Sequence, residues 1–405
     1  MRPAYVVIAL FLTLGSGAAP DWTRFTGTLS GQTNIAGFNA LQWIITGAPA
    51  DNGDHRTTLS LVGEGLEFQA SLIAETRTRP ASWAIEKGSI SLAAWTSAIA
   101  QHLSQEWSHL VAHGQLTLTG GGTWEDNGPR GRIHVSMTEG DFSDPLAGWA
   151  LAGIAITGNF DLQPDFTLRS PDHAELSVQT ITTSRFGARS LRIRGLLTEA
   201  EVFQIDTIFL EIAGGFLENR ESFRVNLTPF SLRAPLRISR IGVQDVAALV
   251  PSGLSDARGR LHGEIILGYD TARGIEIGMG KLLLDEFEPT IVRLSPSPGL
   301  FTASIPARFQ FLPGKIGEAL SLRNRGYDAL QAIELGHTEL RVDSMNITLT
   351  PDGDGEGRSA RVQLEATPLD KEGAVQKVSF TINVAGPLSA LLNIGLTQDF
   401  STSLH

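Results

Sequence analysis

The sequence predicts a fold dominated by β-strands, with one apolar and one polar face per sheet and two or three short amphipathic helices laid on the apolar face. Three observations lead there. Apolar residues recur with a period of two from Thr23 onward, which puts alternate side chains on opposite faces of a strand. Glycine and Asp/Asn clusters such as Asp51-Asn52-Gly53-Asp54 and Pro351-Asp352-Gly353-Asp354-Gly355 break these runs where hairpins need turns. Only two long segments carry apolar residues at helical spacing.

The chain opens with a targeting pattern. Arg2 gives a positive start, Ala4 to Leu14 form an apolar run, and Gly15 to Ala19 supply small residues for a signal peptidase. Residues 1–18 therefore read as a secretory signal cleaved after Ala18. The alternative is a short N-terminal anchor, although about eleven apolar residues cover only half of a ~30 Å hydrocarbon core. Residues 19–405 read as one continuous domain with repeat-like units over about 23–240 and 241–405.

The strand runs carry the candidate inward-facing residues. These are Leu116 and Leu118; Ile133, Val135 and Met137; Ile154, Ile156 and Phe160; and Ile208 and Leu210. They continue with Phe223 and Val225, Val362 and Leu364, and Phe380 and Ile382. Charged or hydroxylated residues alternate with them, as in Phe223-Arg224-Val225-Asn226-Leu227-Thr228. The cleanest run, Val378 to Val384, ends the sheet, so Val378, Phe380, Thr381, Ile382 and Val384 are candidates for an edge open to a partner strand.

Helices are expected over Leu92 to Ala112, Ile316 to Ile333 and, more briefly, Val243 to Val250. The first leads to Gly114-Gln115-Leu116 and the third to Gly259-Arg260-Leu261, 145 residues later. That recurrence suggests a duplicated helix-then-sheet unit. Two or three helices are too few to cap so many strands. Either the sheet closes on itself as a sandwich or barrel, or an apolar trough stays open.

Composition excludes several functions. Apolar residues make up 42% of the 405 and charged ones 19%, too apolar for a disordered chain. A formal charge of −11 gives no global attraction for nucleic acid. The absence of cysteine removes disulfides, thiolate zinc sites, iron–sulfur ligation and thiol nucleophiles. His102, Glu106, His109 and His113 would stack on one stripe of the first helix, but they flank its apolar face and lack the order of a zinc helix, so a solvated flank is the expectation. Asp352, Asp354 and Glu356 begin like a calcium loop whose twelfth position is Gln363, so a hairpin tip is expected. Gly278-Met279-Gly280-Lys281 lacks the spacing of a phosphate loop. No catalytic residue, metal or cofactor is nominated, and the chain reads as a non-enzyme.

The stretches Val243-Gln244-Asp245-Val246-Ala247-Ala248-Leu249 and Leu254-Ser255-Asp256-Ala257-Arg258-Gly259-Arg260-Leu261-His262-Gly263-Glu264-Ile265 resemble the AsmA-like family, in particular its YdbH branch. Asp328 to Ile333, Thr338 to Asp343, Phe380 to Val384 and Pro387 to Leu392 resemble that branch's C-terminal region. The resemblance covers about residues 90–400 and rests on patterned glycines and apolar positions. It implies a greased β-groove in the periplasm of a Gram-negative bacterium that carries phospholipid between inner and outer membranes. It further implies a small outer-membrane lipoprotein docked on the C-terminal strand, and inner-membrane contact through the N-terminal segment. The alternative is a structural or assembly protein of the outer envelope with a sealed β core.

Overall fold

The computed structural model describes residues 23–35, 38–50, 53–74, 81–100, 109–125, 128–183, 187–199, 201–248, 253–270, 274–309, 321–350, 358–370, 374–385 and 401–404. The N-terminal targeting pattern and the acidic loop at 352–356 lie outside them. Strands dominate what is described, as the period of two requires. The chain divides into two compact units, Met1–Phe209 with Ser222–Pro229 and Leu210–Glu221 with Phe230–His405.

In the first unit β1 (Gly27–Ile35), β2 (Phe38–Pro49), β3 (His55–Gly63), β4 (Leu66–Ala74) and β5 (Ala81–Ser91) form an antiparallel meander. Helix α1 (Leu92–Ala100) and the short β6 (Val111–His113) intervene before β7 (Gln115–Glu125) returns beside β5. The sheet continues through β8 (Gly128–Asp144), β9 (Trp149–Leu162), the two-residue β10 (Leu168–Arg169), β11 (Ala174–Thr182) and β12 (Gly187–Glu199). The chain then runs through β13 (Val202–Ile212) and β14 (Gly215–Asn219) to β15 (Phe223–Leu227), which pairs with the first residues of β13.

In the second unit β16 (Phe230–Gly242) pairs with β14 and leads into α2 (Val243–Ala248), β17 (Leu254–Arg258) and β18 (Arg260–Asp270), which lies antiparallel to β16. Next come β19 (Gly274–Leu284) and β20 (Thr290–Leu294), both of which pair with β23 (Leu340–Leu349). Between β20 and β23 stand a small separate ribbon, β21 (Arg308–Phe309) with β22 (Leu322–Arg323), and helix α3 (Arg325–Glu334). Strands β24 (Arg358–Pro368), β25 (Val378–Ala385) and β26 (Ser401–Leu404) complete the ladder.

One device occurs in each unit. A strand ends in a helix, a short strand follows, and a glycine turns the chain into a long strand antiparallel to the first. In one unit the Leu92 N–H donates to the Gly114 carbonyl at 3.0 Å, and in the other the Val243 N–H donates to the Gly259 carbonyl at 3.0 Å. Both glycines hold a positive φ, +119° and +122°, that side chains with a Cβ rarely adopt. The alanines two residues earlier, Ala112 and Ala257, are buried. The shared signature is therefore Ala-x-Gly-x-Leu, two positions longer than the Gly-x-Leu visible by eye.

Two predicted helices differ from the described residues at one end. Val111 and Ala112, the end of the first predicted helix, form a strand with His113, because their backbone pairs with Ser143, Phe142 and Asp141 of β8. Tertiary pairing overrides local helical spacing there. Of the second predicted span, residues 316–320 lie outside the described residues, and helix α3 begins at Arg325, where the Asn324 side chain caps it by accepting from the Gly326 and Tyr327 N–H groups at 3.1 and 3.3 Å. Gly326 thus falls in the first turn, not in the middle.

A Cβ at position 259 would stand 2.1 Å from the Thr290 hydroxyl, whereas at Gly53, φ +87°, nothing lies within 4 Å. Gly259→Ala is expected to cost at least about 2 kcal/mol from strain and overlap together. Gly53→Ala should cost only about 1 kcal/mol from φ alone. Urea unfolding of the two variants checks this, and equal losses would show that the corner at residue 259 relaxes freely.

Candidate functional site

Cross-strand register in the first unit stacks inward-facing residues into rows. One row runs Ala70, Ile85, Gly120, Ile133, Phe160, and the next Leu72, Trp83, Gly122, Gly131, Leu162, Leu168. Leu118 faces Val135 in a third, and Trp124 faces Pro129 at the end. These rows surround a cavity of about 330 Å³ walled by Phe68, Leu116 and their neighbours above, with Ser71 as its only polar lining residue among the described residues. That volume is at the small end of ligand pockets.

Glycines let the strands approach closely beside the cavity. A Cβ on Gly120 or Gly122 would strike the backbone of β8, at 2.5 Å from the Arg132 carbonyl and 2.0 Å from the Arg130 carbonyl. The Trp83 ring lies over Gly131, where a Cβ would come within 2.7 Å of it, and its indole N–H donates to the Thr123 and Arg130 carbonyls at 3.2 Å each. The hairpin tip between β9 and β10 adds Phe166, held at φ +63°. Asp165 steadies that tip, accepting from the Thr167 hydroxyl at 2.7 Å and the Thr167 N–H at 3.0 Å, bonds that hold its carboxyl below the ordinary range.

The predicted inward residues from Leu116 to Val225 fall into three groups. Leu116, Leu118, Ile133, Val135 and Phe160 line the cavity. Met137 and Ile154 are buried with Leu92, Ala112 and Val178 in a core that Ile156 and Trp95 join, so the start of α1 closes this part of the face. Phe223 and Val225 are buried opposite Ile205 and Phe203, while Ile208 and Leu210 are half-buried.

In the second unit Leu364, Phe380 and Ile382 are packed core, and Val362 packs against them. Ile333 and Leu330 of α3 cover them together with Leu300 and Phe301, whose ring meets Phe380 edge-on at 6.3 Å. Glu334 fastens this cover. Its carboxylate is buried and accepts from the Thr302 hydroxyl at 2.6 Å and the Phe301 and Thr302 N–H groups at 2.9 and 3.2 Å. Desolvation pushes its pKa up, but these hydrogen bonds outweigh it and hold the carboxyl below its ordinary value.

At the C-terminal edge Val378 and Val384 are buried and Thr381 half-buried. The edge is not wholly open. Residues 382–385 pair with Ser401–Leu404, so the chain's own end occupies half of it.

The polar clusters carry no evident chemistry. His113 is exposed on β6, not on a helix, and His109 is exposed nearby, while His102 and Glu106 lie outside the described residues. Among the described residues no three His, Asp or Glu side chains gather as a metal site. Ser222 and Gln204 both donate to Asp206 Oδ1 at 2.8 Å, and His173 Nε2 meets Oδ2 at 3.0 Å. The bonds from Gln204 and Ser222 hold Asp206 below its ordinary pKa. Here the carboxylate sits between serine and imidazole, so the imidazole cannot take the serine proton as a triad requires.

The periodicity alone did not reveal Trp83, Trp124, Phe166 or the inward glycines. The run Gly120-Gly121-Gly122 inside a strand was the available signal, since glycine there marks close backbone approach.

Because the Glu334 carboxylate is stabilised in the folded state, it contributes stability above the ordinary glutamate range, and that contribution fades as pH falls through its lowered folded value. Glu334→Gln should cost about 1.5–3 kcal/mol at neutral pH and flatten the acid limb of the melting curve. A variant with an unchanged pH profile would show that the carboxylate is not what fastens the cover.

A family model described as YdbH-like, intermembrane phospholipid transport protein YdbH, matches residues 10–298. That span holds the whole cavity and the Ala-x-Gly-x-Leu corners of both units, but not α3 or β25. No curated protein and no solved structure matches the chain.

Proposed function

Since the chain belongs to the YdbH-like family, whose description is intermembrane phospholipid transport, we propose that it carries phospholipid through the periplasm of a Gram-negative bacterium and that the cavity of the first unit holds the acyl chains. The single observation that carries this reading is a hollow in the β-wall lined by alternate residues of successive strands and almost free of polar atoms. Acyl chains leave water for such a wall at about 0.8 kcal/mol per methylene buried. Wall residues differ little from one another in chemistry, which suits a lipid that must enter and leave over one that stays.

The covered face of the second unit favours a complementary role there. With Leu364, Phe380 and Ile382 packed beneath α3, that unit serves as a sealed β core in the manner of an assembly module. Its last strand then offers main-chain hydrogen bonds to an added strand, for which a small outer-membrane lipoprotein is the expected donor. The N-terminal apolar segment supplies the contact with the inner membrane. Among the described residues no helix is long and apolar enough to cross a bilayer.

A photo-crosslinking residue at Ile133 or Val135 should capture phospholipid in cells, detected by mass spectrometry. The same residue at His134, on the opposite face, or at Phe380, in the sealed core, should not. Equal capture at all four sites would remove the cavity from consideration as the lipid path.

A further inference from the structure

Phe166 stands out in the first unit for its backbone. Among the described residues, five other than glycine hold a positive φ, and Phe166, at +63°, is the only aromatic one and the only one that lines the cavity. A bulky side chain rarely adopts this left-handed conformation, and where a structure enforces it the strain tends to sit at clamps and switches. Here it is enforced from both sides. Before the residue, the Pro164 carbonyl rests on Gly128, where a Cβ would stand 2.3 Å from the carbonyl oxygen. After it, Thr167 is held by Asp165, which accepts from its N–H and its hydroxyl, and by the Gln163 N–H, which donates to its carbonyl at 2.9 Å. The turn is thus fixed at each end, and its one strained residue lies between the fixed points.

The cavity gives this residue a task. One end of it is sealed, because Leu116 packs on the buried group of Leu92, Ala112 and Met137, and Ile90 on that of Leu59, Leu61 and Phe68. The other end lies beyond the row of Leu72, Trp83, Leu162 and Leu168, and the described side chains that stand across it are Trp124, Pro129 and Phe166. Trp124 and Pro129 face each other in paired strands, so the ladder holds them in place. Of the three, Phe166 alone stands on a turn. We propose that Phe166 is the gate through which an acyl chain enters and leaves this cavity, closing over it whether it is empty or filled. The inference rests on the cavity being the acyl site. Burial of the ring favours the closed position and the left-handed backbone opposes it, two effects of similar size, so the ring swings out at little cost. Asp165 acts through Phe166 as a positioning residue, since its bonds to Thr167 keep the turn in the closed form.

The test is stopped-flow loading of the full chain with a pyrene-labelled lysophosphatidylethanolamine below its micelle concentration, so that escape from a vesicle does not limit the rate. Energy transfer from tryptophan reports arrival, since Trp83 and Trp124 line the cavity, and dilution into unlabelled lipid reports departure. Asp165→Ala frees the turn and leaves every lining residue in place. It should raise the loading and unloading rates together by about tenfold with the affinity unchanged, which a gate does and a wall does not. Phe166→Gly, which removes ring and strain together, should raise both rates further; circular dichroism melting confirms that each variant is folded. Ile133→Glu should not load. If it loads like wild type, the cavity is not the acyl site and the gate falls with that reading. If it does not load while Asp165→Ala and Phe166→Gly exchange at the wild-type rate, the cavity stands and the gate is overturned. A Phe166→Gly protein that loses affinity at an unchanged loading rate would make Phe166 a wall residue and overturn the proposal as well.

Discussion

Apolar side chains at every second position of a long antiparallel ladder must be kept from water, and what covers them decides what each unit can do. Where a helix and a fastened loop lie on the inward face, as α3 and residues 296–306 do, the face becomes an ordinary core with Leu364, Leu340 and Ile333 almost without exposed surface. Where strands β4, β5 and β7 to β9 meet beside close-approach glycines, the same alternation lines a cavity. The difference lies in cover, not in the strands themselves.

That distinction explains what the sequence could and could not tell. A period of two identifies inward positions one strand at a time; Ile133, Val135 and Phe160 line the cavity, and Phe380 and Ile382 lie in the core of the second unit. It carries no information on whether something lies over them. The cover comes from residues distant in sequence, such as Phe301 against Phe380 or Leu92 against Met137. Helix limits were misjudged for a related reason. Val111 to His113 fits a helical stripe, but β8 offers its backbone a ladder, and the ladder prevails. The corners were half legible, since Gly-x-Leu is visible by eye but the buried alanine before it needs the fold to explain it.

The outward faces follow a different logic. Opposite charges meet across strands at Lys87 and Glu67 (2.7 Å), Arg132 and Asp161 (2.9 Å), and Arg293 and Glu339 (2.7 Å). Such half-exposed pairs add little to stability. Their effect is on register, because a slip by one residue would bring apolar side chains to the surface and drive these charges inward. A long ladder of similar strands needs that discrimination more than a short one does.

The pairing of Ser401–Leu404 with residues 382–385 turns the end of the chain into a competitor. A strand tethered through residues 386–400 presents itself to its own edge at an effective concentration on the order of millimolar. An incoming strand must therefore displace it or begin on the part of β25 that Ser401–Leu404 does not pair with, from Val378 to Thr381. Strand addition at this edge would then behave as an exchange, with a threshold set by the tail and not by the affinity of the exposed backbone alone.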